Sequence, residues 1–557
     1  MTTIHYPAGA RAADMLLHDH MVPRIWDRDM TVWGATPGTA DTKSIETRLG
    51  WLDVSHTIAA EVDRILALAD SVKADGIRHV YLLGMGGSSL CAEVISSVFG
   101  VADGYPQLTV LDTTDERTIT RAASASDPVE AMFIVASKSG GTVEVASMER
   151  FFWRRMKEAL GRDAGRHFIA ITDPGTALEQ LAETRRYREV FLNPADIGGR
   201  FSALSLFGLV PAALIGAPMT GLVSAGKAMA DGCRQESHEN AGLELGAFIG
   251  AAVQNGRNKL TLALSPRLAS LGLWIEQLIA ESTGKHGTGA LPVVDEPLGA
   301  ADAEYGDDRA FVAIATDIDE PDARRLRVID AAGHPILRLT TRIADLGSEF
   351  FRWEFATAVA GAVLRINPFD EPNVAEAKDK TKALLTAYAS KGKLPEPAAA
   401  AENSAVAVFS RKFSRTSPAA VIRSALSSLG AGDYVAFLSY LPADDDVQSA
   451  IADVRLAIRS RYRVASTFGV GPRYLHSTGQ FHKGGPNTAL AFVITADDET
   501  HTEIPDAGYT FSVLKRAQAL GDTETLEAHD RRTVRIHIRN AKAAAQTIKE
   551  LFGEAMR

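Results

Sequence analysis

Met132-Phe133-Ile134-Val135-Ala136-Ser137-Lys138-Ser139-Gly140-Gly141-Thr142 is the stretch that decides the fold. An apolar run leads into small hydroxylated residues and two glycines, and helical periodicity follows over Val143–Leu160. The order predicted is strand, tight loop, helix. A second stretch has the same form: His79-Val80-Tyr81-Leu82-Leu83 leads into Gly84-Met85-Gly86-Gly87-Ser88-Ser89. A strand that turns through small residues into a helix gathers backbone N–H groups and the positive end of a helix dipole at one point, which suits a phosphate. The loop after Ala136 adds the hydroxyls of Ser137, Ser139 and Thr142 and the ammonium of Lys138. We read it as a cradle for a terminal phosphate monoester, with Ser88 of the other loop within reach. The expected ligand is a small phosphorylated metabolite.

Working outward, apolar strand-like runs alternate with helical patterns from Ile77 to about Leu192, at His79–Leu83, Leu108–Leu111, Phe133–Ala136, Phe168–Ile171 and Val190–Leu192. Repeated β-α units of this kind predict a parallel sheet covered on both faces, with ligands beyond the carboxyl ends of its strands. A helical stretch follows from Ser202 to about Gly256, and a second α/β set uses Lys259–Leu264, Phe311–Thr316 and Ile336–Thr340. Leu394–Ser404, rich in Pro and Ala, reads as a linker. Beyond it lie strand patterns near Tyr434–Leu438, Ala489–Thr495 and Val534–Ile538. The expected division is an extended or partly helical arm over 1–50, a first domain over 51–215, a second over 216–394, a linker over 395–404 and a C-terminal α/β region over 405–557.

Bulk properties narrow the function. A chain of 557 residues needs several cores, and 46% apolar residues suit an ordinary globular protein. The net charge of −10 argues against non-specific binding to nucleic acid or anionic membranes. Cys91 and Cys233 are the only cysteines, too few for a disulfide framework or a cysteine-rich zinc site, and they fit a reducing cytosol. The N-terminal sequence lacks the basic head and apolar core of a secretory signal, so a cytoplasmic location is expected.

Four further segments carry chemistry. In Asp196-Ile197-Gly198-Gly199-Arg200-Phe201-Ser202, two glycines deliver a guanidinium able to balance a developing oxyanion. In Trp274–Lys285, Gln277 and Glu281 share a helix face, and Gly284 ends the helix. The negative end of the dipole would then raise the proton affinity of Glu281, as a general base near neutral pH requires. Phe369-Asp370-Glu371-Pro372 turns into a helix that carries Lys378. The glycine-rich segment Leu475–Asn487 holds His476 and His482 without an acidic partner at metal-ligand spacing. Gly84-x-Gly86 also opens like a dinucleotide fingerprint, with Asp112 where a ribose-binding acid would lie, although the third glycine is Ser89.

Together these segments resemble the phosphoglucose isomerase family, of the sugar-isomerase (SIS) fold group, from about Leu49 to Lys393. Ser137–Glu144 is similar to the family's phosphate loop, Asp196–Ser202 to the signature around its catalytic arginine, and Phe369–Lys378 to its second signature. Glu281 falls at the proton-transferring glutamate. Trp274–Lys285 and Gly471–His476 are similar to the isomerase half of fused transaldolase–phosphoglucose isomerase proteins, without the transaldolase half. Three departures stand out: Glu371 replaces a glutamine, Leu90-Cys91-Ala92 replaces Leu-Gly-Pro, and the usual Asn-Gly-Gln-His segment is missing. Thr478-Gly479-Gln480-Phe481-His482 resembles that segment but comes later, so the resemblance assigns ring opening to His482 or His476, in that order, with His286 third.

The resemblance implies an α/β fold with two SIS-type doubly wound parallel sheets (flavodoxin-like) plus the C-terminal α/β region. It implies interconversion of glucose 6-phosphate and fructose 6-phosphate through a cis-enediol, without cofactor or metal, in a homodimer. The catalytic set is Glu281, Lys378, Arg200, His482 and His476. The binding set is Ser88, Ser137, Lys138, Ser139, Thr142, Gln277 and Glu371. The alternatives are a non-catalytic sugar-phosphate-binding regulator and an NAD-dependent dehydrogenase.

Overall fold

The computed structural model describes every residue except 1, 2, 5, 37, 300–303 and 443. Its first sheet runs Gln107–Leu111, His79–Leu83, Ala131–Ala136, Phe168–Thr172, Glu189–Leu192, with every neighbour parallel. In chain order this is 2-1-3-4-5, the flavodoxin-like winding. All six residues of Ala131–Ala136 are buried, because helices cover both faces of a parallel sheet. The winding reverses between His79–Leu83 and Ala131–Ala136, and both glycine loops leave the sheet from those two strands.

The second sheet repeats the pattern. Leu291–Val293, Lys259–Leu264, Arg309–Ala315 and Ile336–Thr340 lie side by side and parallel, and Thr3–Ile4 adds an antiparallel edge. The expected pair of doubly wound sheets is therefore present. The C-terminal region is a third: Ala465–Val470, Tyr434–Ser439, Ala489–Ala496 and Arg532–Ile538 are parallel in the same 2-1-3-4 order. Val406–Phe409 and Ala401–Glu402 extend it antiparallel. Ala465–Val470 escaped the sequence reading because Ser466, Thr467 and Gly469 break its apolar run. Leu291–Val293 is three residues long and contains Pro292.

The expected arm over 1–50 is packed into the main core instead. Helices Pro7–His18 and Met21–Trp26 bury Ala13, Leu16, Val22 and Ile25. Trp26 stacks on Phe351 and Phe355. Trp33 meets Phe369 edge-on at 4.9 Å between centroids, and its indole N–H donates to Ala358 O at 2.9 Å. Trp51 stacks on Phe201 at 5.2 Å. Large aromatic side chains hold these elements down. Phe201 follows Arg200 and Phe369 precedes Asp370, so this aromatic cluster fixes the backbone at two functional segments. The 395–404 stretch is also tethered, with Glu396 paired to both Arg516 and Arg535. Among the described residues no helix is long and apolar enough to cross a membrane.

Candidate active site

Three segments converge on the first glycine loop. Gly86 has φ 53°, and a Cβ there would lie 2.6 Å from His476 O and 2.8 Å from Gln277 Nε2. A Cβ on Gly87 would overlap Gly199 O. These glycines are needed so that the arginine loop, the Leu271–Thr283 helix and the C-terminal histidine segment can meet there.

Glu281 lies in the last turn of Leu271–Thr283 and is 8% exposed. Burial pushes its carboxyl above the usual glutamate range; Arg200 opposes the rise and Glu371 adds to it. The direction matches the sequence expectation, but the leading cause is desolvation and not the helix dipole. Gln277 Nε2 donates to Glu281 Oε2 at 3.1 Å and to His476 O at 2.8 Å, tying the base to the histidine segment.

Arg200 is buried, and its Nη1 lies 3.7 Å from Glu281 Oε1 and 3.1 Å from Glu371 Oε2. Its other donors are occupied: Nε reaches Ser282 Oγ at 2.7 Å, and Nη2 reaches Pro368 O at 2.7 Å and Asp370 O at 2.8 Å. Arg200 therefore both anchors the 368–371 turn and offers charge beside Glu281. Burial works against the charge on Glu371, but Arg200 and Arg48 outweigh it and bring its pKa to about 2. Arg48 forks onto both Glu371 oxygens at 3.3 Å, a partner that compensates for the carboxylate at this position. Lys285, one turn beyond Glu281, is buried and bonds Asn367 O, Asp370 O and the Asp370 carboxylate. Burial and neighbouring Arg200 lower its pKa to about 8.

On the other side of His476 lies a cavity of about 510 Å³, lined by Gly141, Thr142, Glu144, Lys378, His476 and Gln518 among others. It is bounded by the second glycine loop, the Val374–Lys391 helix and the C-terminal unit. The Thr142 hydroxyl lies 3.0 Å from that of Ser137 and does not cap the Val143–Leu160 helix. The first-turn N–H groups of that helix are thus not taken by a Thr142 cap. Ser139 is exposed, and its Oγ accepts from Gly141 N at 3.4 Å. Ser88 is buried in the first loop. His476 Nε2 lies 3.1 Å from Glu144 Oε1. Burial alone would raise the Glu144 pKa, yet His476, the backbone and Lys378 hold it below the usual value.

Several expectations need correction. His482, preferred on sequence, is 2% exposed and outside the cavity lining. Its Nδ1 is 2.8 Å from the Tyr434 hydroxyl, and burial lowers its pKa to about 3, with Lys483 and Arg531 adding to the effect. It is a neutral core histidine, whereas His476 lines the cavity. His286 is exposed in a turn at φ 52°. The Lys138 ammonium pairs with Asp173 and donates to Ala195 O at 2.9 Å, so it braces the loop toward the neighbouring strands. Asp112 lies 2.6 Å from Arg473 Nε, and Arg473 also holds Glu93 at 2.9 Å. The ribose position of a dinucleotide is thus filled by the Gly471–His476 segment, which removes the structural basis of the dehydrogenase reading.

Glu144, Lys285, Arg48 and Gln518 were missed as functional residues on sequence. Glu144 carried a signal, a carboxylate in the first turn behind the phosphate loop. The other three lie near the site only through tertiary contacts.

The winding of the first two sheets, the loops at their carboxyl ends and a buried carboxylate beside a fixed cation define a SIS-type protein. The family described as phosphoglucose isomerase matches residues 59–307. Glucose-6-phosphate isomerase of Rubrobacter xylanophilus is 29% identical over 379 residues, 58% of this chain and 85% of that protein. The enzyme of Heliobacterium modesticaldum is 28% identical over 389 residues, 60% and 87% of the two chains. Among solved structures, a hypothetical protein of Thermus thermophilus superposes with a TM-score of 0.58 at 22% identity, covering 69% of this chain and 99% of its own. Glucose-6-phosphate isomerase of Chlamydia trachomatis gives 0.51 at 19% identity over 60% and 74%. The chain is thus similar to phosphoglucose isomerases through residues 59–307, and to two glucose-6-phosphate isomerases over somewhat more than half of its length.

Proposed function

We propose that the protein is a glucose-6-phosphate isomerase, an aldose–ketose isomerase acting on glucose 6-phosphate and fructose 6-phosphate. The observation that carries this reading is the link from Glu281 through Gln277 to His476, with Arg200 3.7 Å from the same carboxylate. The phosphate is held by the hydroxyls of Ser137, Ser139 and Thr142 and by the N-terminus of Val143–Leu160. Ring opening removes a proton from the anomeric hydroxyl and supplies one to the ring oxygen, and His476 and Lys378 face the cavity where this occurs. Glu281 then takes the proton from C2 and returns it to C1. Arg200 balances the enediolate that forms between the two transfers. A protein that only senses sugar phosphate has no use for a buried base of raised proton affinity beside a cation.

Buried, unpaired Cys91 and Cys233 and a phosphorylated metabolite fit a cytoplasmic enzyme. The homodimer expected from the family is one in which each chain keeps its own site, since Glu281, Arg200, Lys378 and His476 all belong to one chain. The test is formation of fructose 6-phosphate from glucose 6-phosphate by the purified chain, followed in a coupled assay. Absence of product at micromolar enzyme overturns the reading.

A further inference from the structure

We propose that Gln518, supplied by the third doubly wound unit, is a positioning residue that fixes which atoms of the Glu144–His476 pair carry protons; this rests on the isomerase reading above. Gln518 is 2% exposed on the Phe511–Ala528 helix. Its Oε1 accepts from the Thr114 hydroxyl at 2.9 Å, and its Nε2 donates to Glu144 Oε1 at 2.7 Å. A side-chain amide has one accepting end and one donating end. With Thr114 on the accepting end, the donating end must face Glu144.

Glu144 Oε1 therefore meets an N–H from one side and His476 Nε2 from the other. An oxygen that accepts from a fixed amide is disfavoured as the site of a proton, and with His476, the backbone and Lys378 also holding its pKa below the usual value, Glu144 stays a carboxylate. His476 then carries its proton on Nε2 and donates it to Glu144. Nδ1 is the nitrogen left to exchange a proton with the sugar.

The support for Gln518 is built in. One turn earlier on the same helix, the Lys515 ammonium bonds Asp115 at 2.9 Å and also Asp498. Asp115 is the neighbour of Thr114, so the helix and the threonine loop are locked together. Thr500 Oγ1 and Thr502 N donate to Glu116 at 2.7 and 3.0 Å. The C-terminal unit thus contributes the histidine and also the group that orients the histidine's partner.

The experiment compares Gln518→Met, Gln518→Glu and Thr114→Val with the parent chain. Ring opening is read as exchange between the fructose 6-phosphate anomers by NMR. Turnover is read as kcat and KM for glucose 6-phosphate, and pocket integrity as the Ki of acyclic sorbitol 6-phosphate. Loss of a hydrogen bond to a charged group predicts that Gln518→Met slows anomer exchange and kcat together by about tenfold or more. KM and Ki should stay within about twofold, as expected when an interaction outside substrate binding is removed. Gln518→Glu keeps the shape but loses the donor, and loses at least as much. Thr114→Val shows a smaller loss in the same direction and serves if the Gln518 variants fail to fold. Unchanged anomer exchange in the folded variants overturns the proposal, as does a Ki that rises in step with the loss of kcat. A parent chain without isomerase activity overturns the reading beneath it, and that result is obtained before any variant is made.

Discussion

His476 Nε2 lies 3.1 Å from Glu144 Oε1, although 332 residues separate the two in sequence. The pair joins the C-terminal unit to the helix behind the phosphate loop. Replacing His476 by Ala should slow fructose 6-phosphate anomer exchange by ~10²-fold or more, the scale of a lost general acid–base group. His482→Ala should leave the rate per folded molecule within about threefold and lower the melting temperature, as expected of a buried side chain. Anomer exchange by NMR and a thermal melt separate the two. Equal catalytic loss in both variants would return His482 to candidacy.

Glu281→Gln keeps the size and the Gln277 contact but removes the base. We expect kcat to fall by ~10²–10⁴-fold with little change in sugar-phosphate binding. Retained turnover in this variant excludes Glu281 as the proton carrier.

The pH profile follows from the same residue. Its pKa is raised by burial, so the protonated form, which cannot take the C2 proton, persists above the ordinary glutamate range. Activity should therefore climb with pH through a midpoint above 4.5, the ordinary value. Glu371, brought to about 2, stays ionised across that window and adds no limb of its own. The stability that Glu371 gains from its two arginines is full above the unfolded-state pKa and is lost as pH falls toward 2. Because the Glu371 charge adds to the rise on Glu281, the expected kcat profile of Glu371→Gln has its acid limb moved to lower pH than the parent.

Trp51→Ala removes an indole stacked on Phe201, next to Arg200. A large-to-small change in this core should cost about 3–5 kcal/mol of stability. Denaturant unfolding followed by intrinsic fluorescence measures it, and a loss below about 1 kcal/mol would show that the N-terminal segment does not hold the arginine loop.

Glu281→Gln mixed with His476→Ala tests which chain completes the site. With every group supplied by one chain, mixing two inactive variants should restore no activity. Recovery approaching a quarter of the parent rate would show that a second copy lends its histidine.

Much of the scaffold was legible because it is local. The strand at Phe133–Ala136 and the helix at Val143–Leu160 emerge from an apolar run and a 3.6-residue period, and the helix bounds agree with the structure. The strands at Lys259–Leu264 and Ile336–Thr340 were equally plain. The N-terminal segment was not, since what fixes it to the core is the long-range packing of Trp26, Trp33 and Trp51. His476 and His482 sit six positions apart in one polar segment. No feature of that segment says which ring enters a cavity and which packs under Tyr434.

The chain's local order by itself determined the doubly wound sheets and the glycine loops at their strand ends, because hydrophobic period and turn chemistry act over a few residues, whereas Glu281, Arg200 and Lys378 were singled out through the resemblance to phosphoglucose isomerases. Only the tertiary structure decided that Lys138 braces a loop, that Arg473 fills the place of a ribose and that Gln518 reaches Glu144 from 374 positions away. Those outcomes depend on which charges and donors are carried together when three sheets pack, and burial then forces each to find a partner.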